Sequence, residues 1–216
     1  MTPLFPGSPP PSVPTCAEGS QPTRRCAMLG LGALGVATLG VATLGVAGVL
    51  MSDPADAATS AFGFAFDALE GGPLPLAQFQ GRALLVVNTA SFCGYTSQYR
   101  ALQALWERLE PRGLTVLGVP SNDFGAQEPG SNADIAAFCE TTFGIDFPMT
   151  GKVSVRGANA HPFYRWAERE LGPAAAPRWN FHKYLIDRTG RLAAWFPTQV
   201  APDDARVLAA IERVLG

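Results

Sequence analysis

The sequence predicts an α/β domain, a sheet with helices packed on its faces. Two uncharged apolar runs, "ALLVVNTA" (83–90) and "LTVLGVP" (114–120), have the character of strands buried on both faces. Segments of helical apolar spacing follow each run, and the chain closes on a hairpin pattern and a last amphipathic helix.

Each element has its own signal. "FGFAFDAL" (62–69) alternates aromatic with small or polar residues, as a half-buried strand does, and "GGPLPLAQFQG" (71–81) reads as turn material. In "TSQYRALQALWERLE" (96–110), Tyr99, Leu102, Leu105, Trp106 and Leu109 share one helical face. "SNADIAAFCETTFG" (131–144) opens on Ser131 as N-cap, with Asp134 three residues on, and Gly144 suits its end. "NAHPFYRWAEREL" (159–171) reads as a further helix. "HKYLIDRTGRLAAWF" (182–196) reads as two strands around a turn at Arg188–Thr189–Gly190. "PDDARVLAAIERVL" (202–215) is a final helix with Pro202 and acidic residues expected in its first turn. This order fits a central mixed sheet flanked by helices, compatible with a thioredoxin-like fold.

The domain is expected over 58–216, because residues 1–57 read as an export leader. Arg24 and Arg25 precede an uncharged stretch from Ala27 to Met51, and "ADA" (55–57) offers small residues to a signal peptidase. The twin arginine resembles a Tat signal. A stretch of this length also suffices to span a bilayer, which takes about 20 residues, so an uncleaved anchor through residues 27–51 is the alternative. Either way the domain is expected outside the cytoplasm, in the periplasm or an equivalent compartment. The repeated "LGVAT" within the stretch is low complexity, with no repeat architecture behind it.

A net charge of −2 leaves no basic footprint for nucleic acid. There is no C-x-x-C pair and no cluster of metal-ligand type, so neither a metal nor a cofactor is implied. Without the leader the chain keeps two cysteines, Cys93 and Cys139. In an oxidising compartment such a pair is either a structural bridge or a redox pair.

Cys93, in "NTASFCGYTSQYR" (88–100), follows a buried strand and precedes a helix, with Thr96 where a C-x-x-C motif has its second thiol. Reactive groups in open α/β sheets gather at the carboxyl ends of strands, and a helix N-terminus favours a thiolate. A small buried hydrophobe is the bland reading of the same cysteine. "NDFGAQEPGS" (122–131) brings Gln127 to the same end of the sheet, and "RWNFHKYLID" (178–187) places Trp179 and Asn180 at the opening of the hairpin. Singly, a loop amide satisfies backbone and a Trp packs in a core. Together, an indole N–H and two carboxamides can stabilise a thiolate and donate to a departing oxygen without adding charge.

These segments, with "NDFGAQEPGSNADIAAFC", "FGIDFP", "AHPFYRW" and "WNFHKYLIDRTG", resemble the glutathione peroxidases from about Phe62 to Leu215. The resemblance implies a thioredoxin-like fold and a thiol peroxidase that reduces hydrogen peroxide and organic or lipid hydroperoxides. It makes Cys93 the peroxidatic residue, Gln127, Trp179 and Asn180 its partners in a catalytic tetrad, and Cys139 the resolving cysteine of thioredoxin-dependent members. Departures are Ser121 for a common Cys, Asp123 for a frequent Gln, Ala126 for a frequent Gly, and Phe92 for a frequent Lys. The short stretch between Tyr164 and Trp179 lacks the extra loop of tetrameric members and implies a monomer. No arginine cluster marks a glutathione site, so a thioredoxin-like dithiol is the expected reductant and glutathione the alternative. The implied cycle passes through a Cys93 sulfenic acid and a Cys93–Cys139 disulfide. The helix bearing Cys139 is expected to loosen to close that bond.

A cysteine hydrolase or transferase lacks a Cys-His signature. His161 reads as a cap or surface residue, and His182 as a residue that packs or faces solvent. A peroxide-sensing thiol relay without efficient turnover is the second functional reading.

Overall fold

The structure, a computed structural model, describes residues 59–216. The expected leader, with Cys16 and Cys26, lies outside the described residues.

The described part begins with a 3-10 turn (Ala61–Gly63) and two short antiparallel strands, β1 (Ala65–Asp67) and β2 (Pro73–Pro75). β3 (Ala83–Thr89), α1 (Gln98–Leu109) and β4 (Leu114–Pro120) form a parallel crossover, and α2 (Asn132–Phe143) and α3 (Pro162–Leu171) follow. The antiparallel hairpin of β5 (Lys183–Ile186) and β6 (Leu192–Phe196) and the helix α4 (Ala205–Leu215) complete the fold. The four-stranded sheet has the order β4-β3-β5-β6. Because β5 runs antiparallel to β3, the start of β5 meets the end of β3. Three loops therefore converge at one edge of the sheet: those after β3 and β4 and the one before β5.

Every residue of β3 and β4 is buried, as continuous apolar runs dictate. Leu85 and Val87 face one cluster with Tyr99, Leu102 and Leu109 of α1 and with Val207 and Ile211 of α4. Leu84 and Val86 face the other, built from Phe163 and Trp166 of α3 with Phe64 and Phe66 from the amino-terminal segment. Trp106 packs on the first cluster while only partly buried. Gly118 admits the segment at Phe147–Met149 against β4; a Cβ there would stand 3.1 Å from Met149 side-chain atoms.

Some boundaries differ from expectation. The strand expected over 62–69 is confined to β1, because the 3-10 turn at Ala61–Gly63 takes its first residues. The 71–81 stretch contains β2 and a 3-10 turn (Leu76–Phe79), since Leu76 is drawn into the core and its N–H donates to the Phe64 carbonyl. The last helix begins at Ala205; Asp204 is its N-cap, accepting from the Arg206 N–H, so Pro202 and Asp203 precede the first turn. The capping box on α2 is present in full, with Gly144 left-handed behind it. His161 caps α3, its ring accepting from the Phe163 N–H. Among the described residues no helix is long and apolar enough to cross a membrane.

Candidate active site

Cys93 lies in the loop between β3 and α1 and is largely enclosed, 8% exposed. Thr96 shapes this loop: its Oγ1 accepts from the Cys93 N–H at 3.1 Å and donates to the Cys93 carbonyl at 2.6 Å. A hydroxyl that closes the turn thus occupies the place of a second thiol. The Tyr95 N–H donates to Cys93 Sγ at 3.4 Å. The helix terminus is not the local donor, because α1 starts at Gln98, and the turn itself supplies the N–H.

The loop after β4 is stitched to this one. The Phe92 N–H donates to the Gln127 carbonyl at 3.0 Å. The Glu128 carboxylate, buried, accepts from the Ser91 N–H at 2.9 Å and the Ser91 hydroxyl at 3.2 Å. Burial raises the Glu128 carboxyl above its ordinary range, opposed by those Ser91 bonds. The turn is made by Gly125 and Ala126, both left-handed at φ 67° and 52°. Ala126 holds without a glycine a conformation that favours one.

The third loop brings Trp179 and Asn180. The Asn88 side chain donates to the Trp179 carbonyl at 3.1 Å, and the Asn88 carbonyl accepts from the Phe181 N–H at 2.6 Å. Phe181 is left-handed at φ 62°. Its carbonyl accepts from Lys183 Nζ at 2.6 Å, and the Asn180 carbonyl accepts from the Thr198 hydroxyl at 2.7 Å. The backbone kink at Phe181 is therefore held from both sides. It buries the Asn180 side chain, whose Nδ2 donates to Gln127 Oε1 at 2.9 Å. Trp179 stays 38% exposed, its ring 5.9 Å from that of Phe124. Of the expected residues, Gln127 and Asn180 are in direct contact, and Gln127 is tied by its backbone to the residue preceding Cys93.

Cys139 is buried on α2, in the same apolar cluster as Cys93, and both thiols are free. Burial pushes its thiol up to about 11; the neighbouring Tyr99 hydroxyl opposes this and the Glu128 charge adds to it. In the folded, reduced protein Cys139 is thus a neutral thiol at ordinary pH, and a neutral thiol is a poor nucleophile.

Sequence reasoning missed the supporting residues Asn88, Thr96, Glu128 and Lys183. Thr96 had a readable signal in its spacing from Cys93. Lys183 had none, because nothing in "FHKYLI" distinguishes a buried lysine from an exposed one. Among the described residues no group of three His, Cys, Asp or Glu is placed to hold a metal ion.

A sequence model of the family described as Glutathione peroxidase matches residues 61–168. The chain is 44% identical over 169 residues to the Synechocystis protein described as hydroperoxy fatty acid reductase gpx1, covering 74% of this chain and 99% of the relative. It is 39% identical over 136 residues to the Saccharomyces cerevisiae glutathione peroxidase-like peroxiredoxin HYR1, covering 62% of this chain and 83% of the relative. Among solved structures, that of T. cruzi GPX1 matches with a TM-score of 0.59 at 31% identity, over 73% of this chain and 97% of the other.

Proposed function

The chain belongs to the glutathione peroxidase family, its fold is thioredoxin-like, and we propose that it reduces hydroperoxides with Cys93 as the attacking thiol. The Cys93 thiolate attacks one oxygen of ROOH, the O–O bond breaks, and the departing alkoxide takes a proton and leaves as ROH. Cys93 becomes a sulfenic acid. The Asn180 and Gln127 carboxamides and the Trp179 indole serve as neutral donors, to the sulfur before attack and to the departing oxygen during it. The Cys139 sulfur then displaces hydroxide from the sulfenic acid; the hydroxide leaves as water with the Cys139 thiol proton, and a disulfide forms. An external dithiol reduces that bond by exchange and is itself oxidised.

The observation that carries this reading is the 2.9 Å hydrogen bond between Asn180 and Gln127, which links two distant loops beside the loop of Cys93. A dithiol reductant is favoured because Cys139 stands where family members keep a resolving thiol and because HYR1 is described as a peroxiredoxin. Since the Cys139 thiol is buried and neutral, α2 has to loosen before the second step. The same burial gives some support to a thiol relay, in which a long-lived sulfenate passes oxidation to a partner. We place the protein outside the cytoplasm, as a monomer.

The test is peroxide consumption coupled to thioredoxin. Rapid turnover that disappears in Cys93→Ser supports the peroxidase. Fast single oxidation with turnover no faster than buffer thiols supports the relay, and unchanged turnover in Cys93→Ser removes Cys93 from the chemistry.

A further inference from the structure

Phe92 and Phe138 each stand immediately before one of the two cysteines, Cys93 and Cys139. Their rings stack across the space between the Cys93 loop and α2, with centroids at 6.4 Å and planes 29° apart. Phe92 is 69% exposed, and nothing in the chemistry above uses its side chain. Its backbone is fixed, because its N–H donates to the Gln127 carbonyl. Phe138 is fixed from the other side: its ring meets Phe143 edge-on at 5.6 Å, and Phe143 lies 5.3 Å from Tyr99 of α1.

α2 is weakly held around Cys139. Of its residues only Ile135 and Cys139 are buried. Cavities of about 620 and 350 Å³ lie along it, the first lined by Ala136, Cys139 and Glu140 among others, the second by Ile135, Phe138 and Phe92. The Thr141 hydroxyl donates back to the Ala137 carbonyl at 2.6 Å, a back-bond that slightly destabilises a helix. Successive side chains on a helix point about 100° apart, so while α2 is wound Phe138 faces Phe92 and Cys139 faces the core. A disulfide holds its two Cα atoms about 4.4–6.8 Å apart. Each Phe stands one peptide unit, about 3.8 Å, before its cysteine, so the two rings remain within reach of each other when the cysteines are joined.

We propose that the Phe92–Phe138 pair is the pivot of the second chemical step. As the turn around Cys139 unwinds, the stacked rings hold its start beside the Cys93 loop, and the released Cys139 is delivered to the sulfenic acid. This rests on the two-cysteine peroxidase reading and gives Phe92 a positioning role in it. Phe92 stands where the family frequently has Lys, so the pivot belongs to this chain and is not implied by the family resemblance.

The experiment mixes the reduced full chain with excess hydrogen peroxide, quenches it at intervals in acid, and maps the cysteines by mass spectrometry. Loss of the Cys93 thiol reads the first step, and appearance of the Cys93–Cys139 disulfide reads the second. Phe92→Ala should slow disulfide formation about fivefold, the scale of one aromatic pair, and leave the rate of Cys93 oxidation as in the wild type. Phe92→Tyr should keep the wild-type disulfide rate. The sign separates a pivot from a brace: a contact that only stabilises α2 would, once removed, speed disulfide formation. Phe138→Leu should slow the same step, and the double variant should be no slower than the slower single, since both remove one contact. A disulfide rate in Phe92→Ala equal to or faster than wild type overturns the pivot, as does an equal slowing of both steps. Should Phe138→Leu unfold α2, the Phe92 variants decide, since that side chain is exposed. Absence of any Cys93–Cys139 disulfide in the wild type contradicts the two-cysteine cycle itself, a different result from any of these.

Discussion

Replacing Lys183 by Met should make the protein more stable, by an amount that depends on pH, and slower toward peroxide. Lys183 is wholly buried at the start of β5, and its Nζ donates to the Phe181 carbonyl. Burial pushes its ammonium down from 10.5 to about 7. Because the folded value is depressed, between these two values the unfolded chain holds the proton and the folded chain does not. The stability that the lysine contributes is therefore complete above 10.5 and is lost as pH falls through the folded value near 7. The slope is at most about 1.4 kcal/mol per pH unit. Between about pH 9 and pH 7 the wild type should thus lose roughly 2 kcal/mol relative to Lys183→Met. The activity cost has another origin. Without Nζ the left-handed Phe181 loses the bond on its carbonyl, and Asn180 just before it is less well held. One hydrogen bond of about 1 kcal/mol corresponds to roughly a fivefold slower oxidation of Cys93. Urea unfolding of both proteins at the two pH values, with thiols reduced, reads the first effect; stopped-flow oxidation reads the second. A stability difference that does not move with pH refutes the depressed lysine, and a wild-type oxidation rate refutes the brace.

Asn180→Ala and Gln127→Ala should each slow Cys93 oxidation by about tenfold or more, as losing a donor to a charged group does. Because the two side chains are bonded, the double variant should cost less than the sum of the two, which stopped-flow rates on all three variants check. Ser131→Ala removes the cap of α2 and should destabilise the protein by about 1 kcal/mol in urea unfolding. It should also speed disulfide formation after peroxide, if loosening of α2 limits that step. Arg24→Lys with Arg25→Lys should keep a folded reporter in the cytoplasm if export follows the twin-arginine route; continued export points to another route or to an anchor.

The sequence was most informative where burial is two-sided or where a cap imposes a residue type. The bounds of β4 coincide with the apolar run at 114–120, and β3 stops one residue short of its run. Ser131, Asp134 and Gly144 announced both ends of α2. The short β2 was illegible, because a three-residue strand is set by its partner and not by its own pattern. Cys93, Gln127, Trp179 and Asn180 were legible as motifs and by resemblance. The contact between Asn180 and Gln127 was not, since Asn180 reaches Gln127 only because β5 runs antiparallel beside β3, a pairing that no local pattern encodes. Burial of Lys183 and the neutral state of Cys139 likewise arise from helices and strands packed over them from elsewhere in the chain.

Mass spectrometric mapping after one equivalent of peroxide tests the Cys93–Cys139 couple most directly. The reduced protein is oxidised, alkylated and digested, and the state of each cysteine is read from its peptides. The expected result is a peptide pair joined through Cys93 and Cys139, reversed by thioredoxin, and in Cys139→Ser a Cys93 sulfenic acid trapped by a dimedone-type reagent. Cys139 alkylated as a free thiol while Cys93 is oxidised, with thioredoxin turnover unchanged in Cys139→Ser, would contradict it.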